Sequence, residues 1–284
     1  MSSDKVLREL IAKEGMVVAP GCYDGLTAKL IRQAGFNAIY MSGGSTSSAH
    51  GYPDYGLLTM SEMVENASRI ADAVDVPVIS DADNGYGNEL NVYRTIRAFE
   101  KAGVAGVHIE DQVFPKRCGH LDDKELVSRE DYVAKIRAAV DARRDPNFMI
   151  IARTDARAGH GLAEAVARVN AAIAAGADMA FVEAPQTMEE MAQVPRLVKG
   201  PCLLNIVRNG KTPEVTLGQA KEMGYVVSIV PGLLLASVIG AVDQALEGLK
   251  REQRHPVPIA DLGPREMFNR VGALEWDPLR TRYR

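Results

Sequence analysis

Apolar residues along the chain fall into short continuous runs, separated by stretches with a helical repeat. Met16–Pro20 (MVVAP), Ala38–Met41 (AIYM), Val76–Ala82 (VPVISDA), Gly106–Glu110 (GVHIE), Phe148–Arg153 (FMIIAR), Met179–Val182 (MAFV), Cys202–Ile206 (CLLNI) and Val226–Ile229 (VVSI) read as strands. Helical spacing marks Lys5–Lys13, Gly25–Ala34, Leu58–Val74, Leu90–Ala102, a segment capped by Ser128 and running through Val140, Leu162–Ala175, Met188–Val194 and Leu217–Met223. Thr59 or Ser61 is expected to cap the third of these, with Glu62 and Glu65 in its first turns. Ser42–Gly56 is rich in Gly, Ser and aromatic residues without any period, and is expected to be a loop.

About eight apolar strands alternating with helices suit parallel strands buried on both faces. No glycine-rich dinucleotide turn follows the first strand and no break in composition divides the chain. The pattern therefore predicts an α/β fold, a closed (β/α)8 TIM-type barrel rather than an open doubly wound sheet. Residues 1–284 are expected to form one barrel domain, with 250–284 as a C-terminal helical extension that contacts a subunit or covers the pocket.

At 46% apolar and 25% charged residues the chain can build a large core, and a formal charge of −4 offers no general attraction to nucleic acid. The most apolar stretch, around Val226–Val242, is interrupted by Pro231 and Gly232, so no membrane span is expected. Three widely spaced cysteines, Cys22, Cys118 and Cys202, with no secretory leader ahead of them, predict reduced thiols and a cytoplasmic location.

The ends of the apolar runs carry the candidate chemistry. In order they present Ser42, Asp81 with Asp83, Glu110, Arg153, Glu183 and Asn205. In a barrel these positions open onto one face and converge on one pocket. Asp81 and Asp83 lie on one side of an extended chain and, with Glu110, make an oxygen-rich cluster suited to Mg2+. Asp54 is expected to join the cluster through water. The alternative for Asp81 and Asp83 is a pair of turn and N-cap carboxylates ahead of Asn84-Gly85-Tyr86-Gly87. Arg153 can hold a carboxylate in a fork or bridge to Glu183 or Asp155. Tyr40 precedes Ser42-Gly43-Gly44, whose backbone donors either hold a carboxylate or form a tight turn. His108, inside a strand, reads as a core histidine. Lys116-Arg117-Cys118-Gly119-His120 packs a thiol among cations just after Pro115, which predicts a mobile segment whose Cys118 is biased toward thiolate and moves a proton near neutral pH.

Taken together, Ser42-Gly43-Gly44, Asp81-Ala-Asp83, His108-Ile-Glu110-Asp111-Gln112, Lys116 to His120, Ala152-Arg153-Thr154-Asp155 and Asn205 resemble the isocitrate lyase/phosphoenolpyruvate mutase superfamily, over roughly residues 10–245. The resemblance implies a barrel whose eighth helix is swapped between subunits, dimers pairing into a homotetramer, and an Mg2+ site under a gating loop, with Mn2+ as substitute metal. It implies chemistry on a small dicarboxylate through an enolate-type intermediate. The cysteine of the KRCGH stretch is absent from the mutase branch, which argues for carbon–carbon lyase chemistry.

Asn205-Ile206-Val207-Arg208-Asn209 replaces the Ser-Pro-Ser stretch of isocitrate lyases, and Val230–Ser237 (VPGLLLAS) offers no arginine for a third carboxylate. The expected reaction is cleavage of 2,3-dimethylmalate to pyruvate and propionate. Within it, Tyr40 acts as base at the hydroxyl, Arg153 and the Ser42–Gly44 amides position a carboxylate, and Cys118 acts as the acid. Lys116, Gly119, His120, Glu183 and Asn205 complete the implied site. The alternatives are 2-methylisocitrate cleavage, with Arg208 or Arg265 serving a third carboxylate, oxaloacetate decarboxylation, and a non-catalytic barrel scaffold.

Overall fold

The structure is a computed structural model that describes residues 3–121 and 124–283. Its eight strands are β1 (Val17–Cys22), β2 (Ile39–Met41), β3 (Val78–Asp81), β4 (Gly106–Ile109), β5 (Met149–Thr154), β6 (Met179–Val182), β7 (Cys202–Asn205) and β8 (Val227–Val230). They pair in parallel in sequence order and close between β1 and β8, where Val17 aligns with Val227 and Pro20 with Val230. The expected (β/α)8 barrel is what forms.

Around it run α1 (Ser3–Glu14), α2 (Gly25–Gln33), α3 (Gly43–Ala49), α4 (Met60–Ala73), α5 (Glu89–Lys101), α6 (Arg129–Ala142), α7 (Arg157–Ala174), α8 (Met188–Leu197) and α9 (Leu217–Met223). Caps set several starts as the sequence implied. Thr59, not Ser61, caps α4 in a reciprocal box with Glu62, and Ser128 caps α6 by accepting the Asp131 N–H. Compact packing divides the chain into two units, Met1–Gly232 and Leu233–Arg284. The second unit consists of α10 (Leu233–Glu252), α11 (Pro264–Asn269) and α12 (Ala273–Arg282). Among the described residues no helix is long and apolar enough to cross a membrane.

Side chains two apart on a strand share a face, so alternate strand residues fill the barrel. Val17 and Ala19, Met149 and Ile151, Met179 and Phe181, and Val227 and Ile229 form such pairs, joined by Tyr40, Ile79 and Leu203 in one buried cluster. Leu7 of α1, fully buried, belongs to the same cluster.

Three sequence expectations change. Ser42–Gly56 is not wholly loop, because it contains α3, whose small residues give no apolar repeat. Ser42 starts that helix, its Oγ accepting the Ser45 N–H at 3.2 Å. The expected helix from Leu162 is preceded in α7 by a helical turn from Arg157, the two parts meeting at a kink at Gly161, where φ is 84°. The tail holds α12 in addition to the expected helix near Pro264.

Leu7→Ala should lower unfolding stability by about 3 kcal/mol through the cavity it leaves in the barrel. Chemical denaturation checks this, and a loss below about 1 kcal/mol would mean that α1 does not close the core.

Candidate active site

The strand ends converge as expected. Asp81, Asp83, Glu110, Arg153, Glu183, Asn205, Ser42 and Tyr40 are all buried at the C-terminal ends of β2 to β7. Gly43 lies so close to Asp81 that a Cβ there would sit 2.4 Å from Oδ2, which is why position 43 leaves no room for a side chain.

Over this rim folds an excursion from β4. Its neck is closed by a bridge between Gln112 and Leu126, with Val113 N–H donating to Glu125 O at 2.8 Å and Val127 N–H to Asp111 O at 2.9 Å. The Gln112 side chain grips the far limb, accepting the Arg117 N–H at 2.9 Å and donating to Arg117 O at 2.8 Å. Lys116 reaches down to Asp54 at 2.6 Å and Asp83 at 2.8 Å. Cys118 N–H donates to Asp54 O at 3.2 Å. Gly119 lies against Glu183, Arg153 and Asp155, where a Cβ would approach within 2.5 to 2.9 Å of all three side chains. His120 accepts the Lys211 N–H at Nδ1 (3.1 Å) and brings Nε2 to 3.3 Å from Glu183. Lys124 donates to Gly119 O and Leu121 O. This is a closed lid, pinned at several points.

The buried charges are largely spent on one another. Arg153 forks onto Asp155 at 3.1 and 3.2 Å, and also faces Glu110 at 3.1 Å and Glu183 at 3.5 Å. Asn205 donates to Glu183 at 3.1 Å. Burial works against the Lys116 charge, yet Asp83, Asp54, Asp81 and Glu110 outweigh it and hold the ammonium firmly protonated. Burial would also raise Asp81 and Glu183. Neighbouring groups prevail in both, the His108 ring with the Lys116 and Arg153 charges for Asp81 and Arg153 for Glu183, keeping both ionised. Glu110 and Asp83 go the other way: burial pushes Glu110 well above the carboxylate range and Asp83 up to about 6.

Cys118 departs from expectation. Burial and then Asp54 raise its pKa, so the closed lid holds a thiol, not a thiolate. The reason is the pairing: Lys116, the cation expected to favour thiolate, is engaged by Asp54 and Asp83, and Arg117 is exposed. Tyr40 is likewise held as a neutral phenol by burial and by Asp81.

Among the described residues no three His, Cys, Asp or Glu side chains close around a point as a ready-made metal cage. The donor set nevertheless fits Mg2+, which keeps several waters and takes only one or two carboxylates directly. Asp83 Oδ1 and both oxygens of Glu110 are buried hard donors that accept no aligned hydrogen bond, although Lys116 and Arg153 stand near them.

Two participants were not foreseen. His108 is buried in the core as expected, against Tyr40 and Phe181, but its Nε2 also lies 2.8 Å from the Tyr40 hydroxyl and 3.6 Å from Asp81. Burial lowers its pKa to about 4, so the ring is neutral and can accept a hydrogen bond from the Tyr40 hydroxyl. The signal was available, since His108 stands two residues before Glu110 and shares its side of the strand. The second is Tyr86, whose hydroxyl is buried beside the carboxylates without a partner.

The phosphoenolpyruvate phosphomutase family model matches residues 7–250. The chain is 50% identical to the 2,3-dimethylmalate lyase of Eubacterium barkeri over 232 residues, covering 81% of this chain and 80% of that one. It is 50% identical to the 2-methylisocitrate lyase of Aeropyrum pernix over 226 residues, 80% of this chain and 73% of that one. A crystal structure of a 2,3-dimethylmalate lyase superposes with a TM-score of 0.94 at 40% identity, covering 100% of this chain and 96% of the other. With the lidded carboxylate rim and these matches in hand, the chain is an enzyme, a carbon–carbon lyase, and a member of the phosphoenolpyruvate mutase/isocitrate lyase superfamily.

Proposed function

We propose that the protein is an Mg2+-dependent lyase that cleaves an alkyl-substituted malate, 2,3-dimethylmalate, to pyruvate and propionate. The observation that carries this reading is the placement of Cys118 on a closed lid, its N–H bonded to Asp54 O and Lys116 beside it bonded to Asp54 and Asp83, over a rim of buried carboxylates. Asp81 and Asp83 would hold the metal, with Glu110 and Asp54 acting through water. When bound, Mg2+ supplies positive charge that steadies the oxygens of a 2-hydroxy acid and the carbonyl forming from them.

The protein's own residues manage the protons. Tyr40 takes the 2-hydroxyl proton as it passes its own to His108 Nε2, where the Asp81 carboxylate 3.6 Å away offsets the positive charge that burial opposes. The C2–C3 bond then breaks, and the oxygen's electron pair becomes the carbonyl of pyruvate. The pair from the broken bond moves onto the C3 fragment as the aci-carboxylate of propionate. The Cys118 S–H protonates that carbon. Arg153 and the amides around Ser42–Gly44 steady the carboxylate beside the breaking bond, and the lid keeps water out.

Lys116 and Arg153 are the cations that reach the rim, and a metal held by its carboxylates would add the positive charge that a dicarboxylate needs. A third carboxylate, as in 2-methylisocitrate, calls for a further cation. Arg208, one of the two sequence candidates, has a side chain 87% exposed that leans toward Glu214 at 3.9 Å. That disfavours the tricarboxylate. The assembly we propose is a homotetramer of helix-swapped dimers. It is supported by α10, which leaves Leu233, Ile239, Val242, Leu246 and Leu249 exposed along its length and so needs a cover.

Pyruvate release should depend on Mg2+ or Mn2+ and be fastest with 2,3-dimethylmalate in a panel that includes 2-methylisocitrate and oxaloacetate. Faster cleavage of 2-methylisocitrate would favour the tricarboxylate, and no pyruvate from any of the three would end the lyase reading. Cys118→Ser should lower carbon–carbon cleavage by about a hundredfold or more while leaving pyruvate binding within about twofold. Turnover persisting in that variant would point instead to decarboxylation, which needs no carbon acid.

A further inference from the structure

Tyr86 sits in a turn that is costly to build. Its φ is 61°, a left-handed value that a bulky side chain rarely adopts, between Gly85 at 79° and Gly87 at 148°. Buried contacts hold the turn in place. Tyr86 N–H donates to Asn84 Oδ1 at 3.0 Å, Thr95 Oγ1 to Gly85 O at 3.1 Å, Lys135 Nζ to Asn84 O at 3.1 Å, and Asn84 Nδ2 to Gln112 O at 3.3 Å. Gly85 cannot be enlarged, since a Cβ would lie 2.4 Å from Val92.

The ring of Tyr86 lines a cavity of about 310 Å³ with Leu58, Thr95 and Phe114. A phenylalanine would line it equally well. The hydroxyl adds a buried polar atom with no partner, which is destabilising unless something in the working protein satisfies it. The charges that bear on it are Asp83, Asp81, Lys116 and Glu110. Of these, Asp83 Oδ1 and Glu110 Oε2 are ion-paired with Lys116 at 2.8 Å and Arg153 at 3.1 Å, while Glu110 Oε1, like the Tyr86 hydroxyl, has no partner. Buried polar atoms left without a protein partner are what an ordered water satisfies.

We propose that Tyr86 is a positioning residue of the cation site, its hydroxyl fixing a water shared with Glu110 and Asp83 when a divalent ion is bound. The strained turn then has a purpose, because it buries a hydroxyl among the charges of Asp83, Asp81 and Glu110. The inference rests on the metal-dependent reading above and concerns a residue which that reading does not use.

Mn2+ titration of the full-length protein, followed by the paramagnetic signal of the free ion and by water-proton relaxation of the bound ion, tests it. Tyr86→Phe keeps the ring and the backbone geometry, so its melting temperature should stay close to wild type. Its Mn2+ dissociation constant should rise about tenfold, as for lost outer-shell partners of other metal sites, with altered relaxation of the bound ion. Equal affinity and equal relaxation in wild type and Tyr86→Phe would overturn the role of Tyr86. Failure of the wild-type protein itself to bind Mn2+ would instead overturn the metal-dependent reading on which it rests.

Discussion

One ammonium group organises the mouth of this barrel. Lys116, carried on the lid, is drawn down to Asp54 and Asp83 and is almost fully buried there. Opposite charges in so dry a place attract far more strongly than at a surface, and breaking such a pair strands both. Lid closure, the approach of Gly119 to Arg153 and Glu183, and the station of Cys118 above the rim all follow from where that one charge goes. Gln112 and Lys124 hold the backbone of the same segment, so the thiol arrives in a defined place rather than on a loose tether.

The rim is nevertheless short of positive charge. Asp54, Asp81, Asp83, Glu110, Asp155 and Glu183 gather around Lys116 and Arg153. Glu110 and Asp83 respond with raised pKa values, as expected where carboxylates outnumber their partners and water is scarce. A divalent cation would relieve the same imbalance without protonating either group. The shortage of cations and the unpartnered Glu110 Oε1 are two views of one arrangement, and the buried, unpartnered Tyr86 hydroxyl is its third.

Much of this was legible in the chain because a parallel barrel imposes strong rules. Short apolar runs could only be buried strands, and their last residues had to share one face, so Asp81, Glu110, Arg153, Glu183 and Asn205 came together as expected. What stayed hidden depended on contacts between distant segments. Helix α3 has no apolar stripe and forms because Ser42 caps it and Gly43 fits against Asp81. The neighbours of Cys118 in sequence suggested a thiolate, but sequence does not reveal that Lys116 has found Asp54, 62 residues away. His108 could have been read from strand alternation with Glu110, whereas the orientation of Tyr86 required the left-handed turn to be seen.

The central claim is that the lid's cation serves the carboxylates and leaves Cys118 as a buried thiol able to give up a proton. The pH dependence of Cys118 alkylation by a small neutral reagent, taken as the difference between wild type and Cys118→Ser, measures this directly. An apparent pKa above the ordinary thiol value of about 8.5 is the result this arrangement requires. An apparent pKa below about 7, the mark of a thiolate stabilised by adjacent cations, would contradict it.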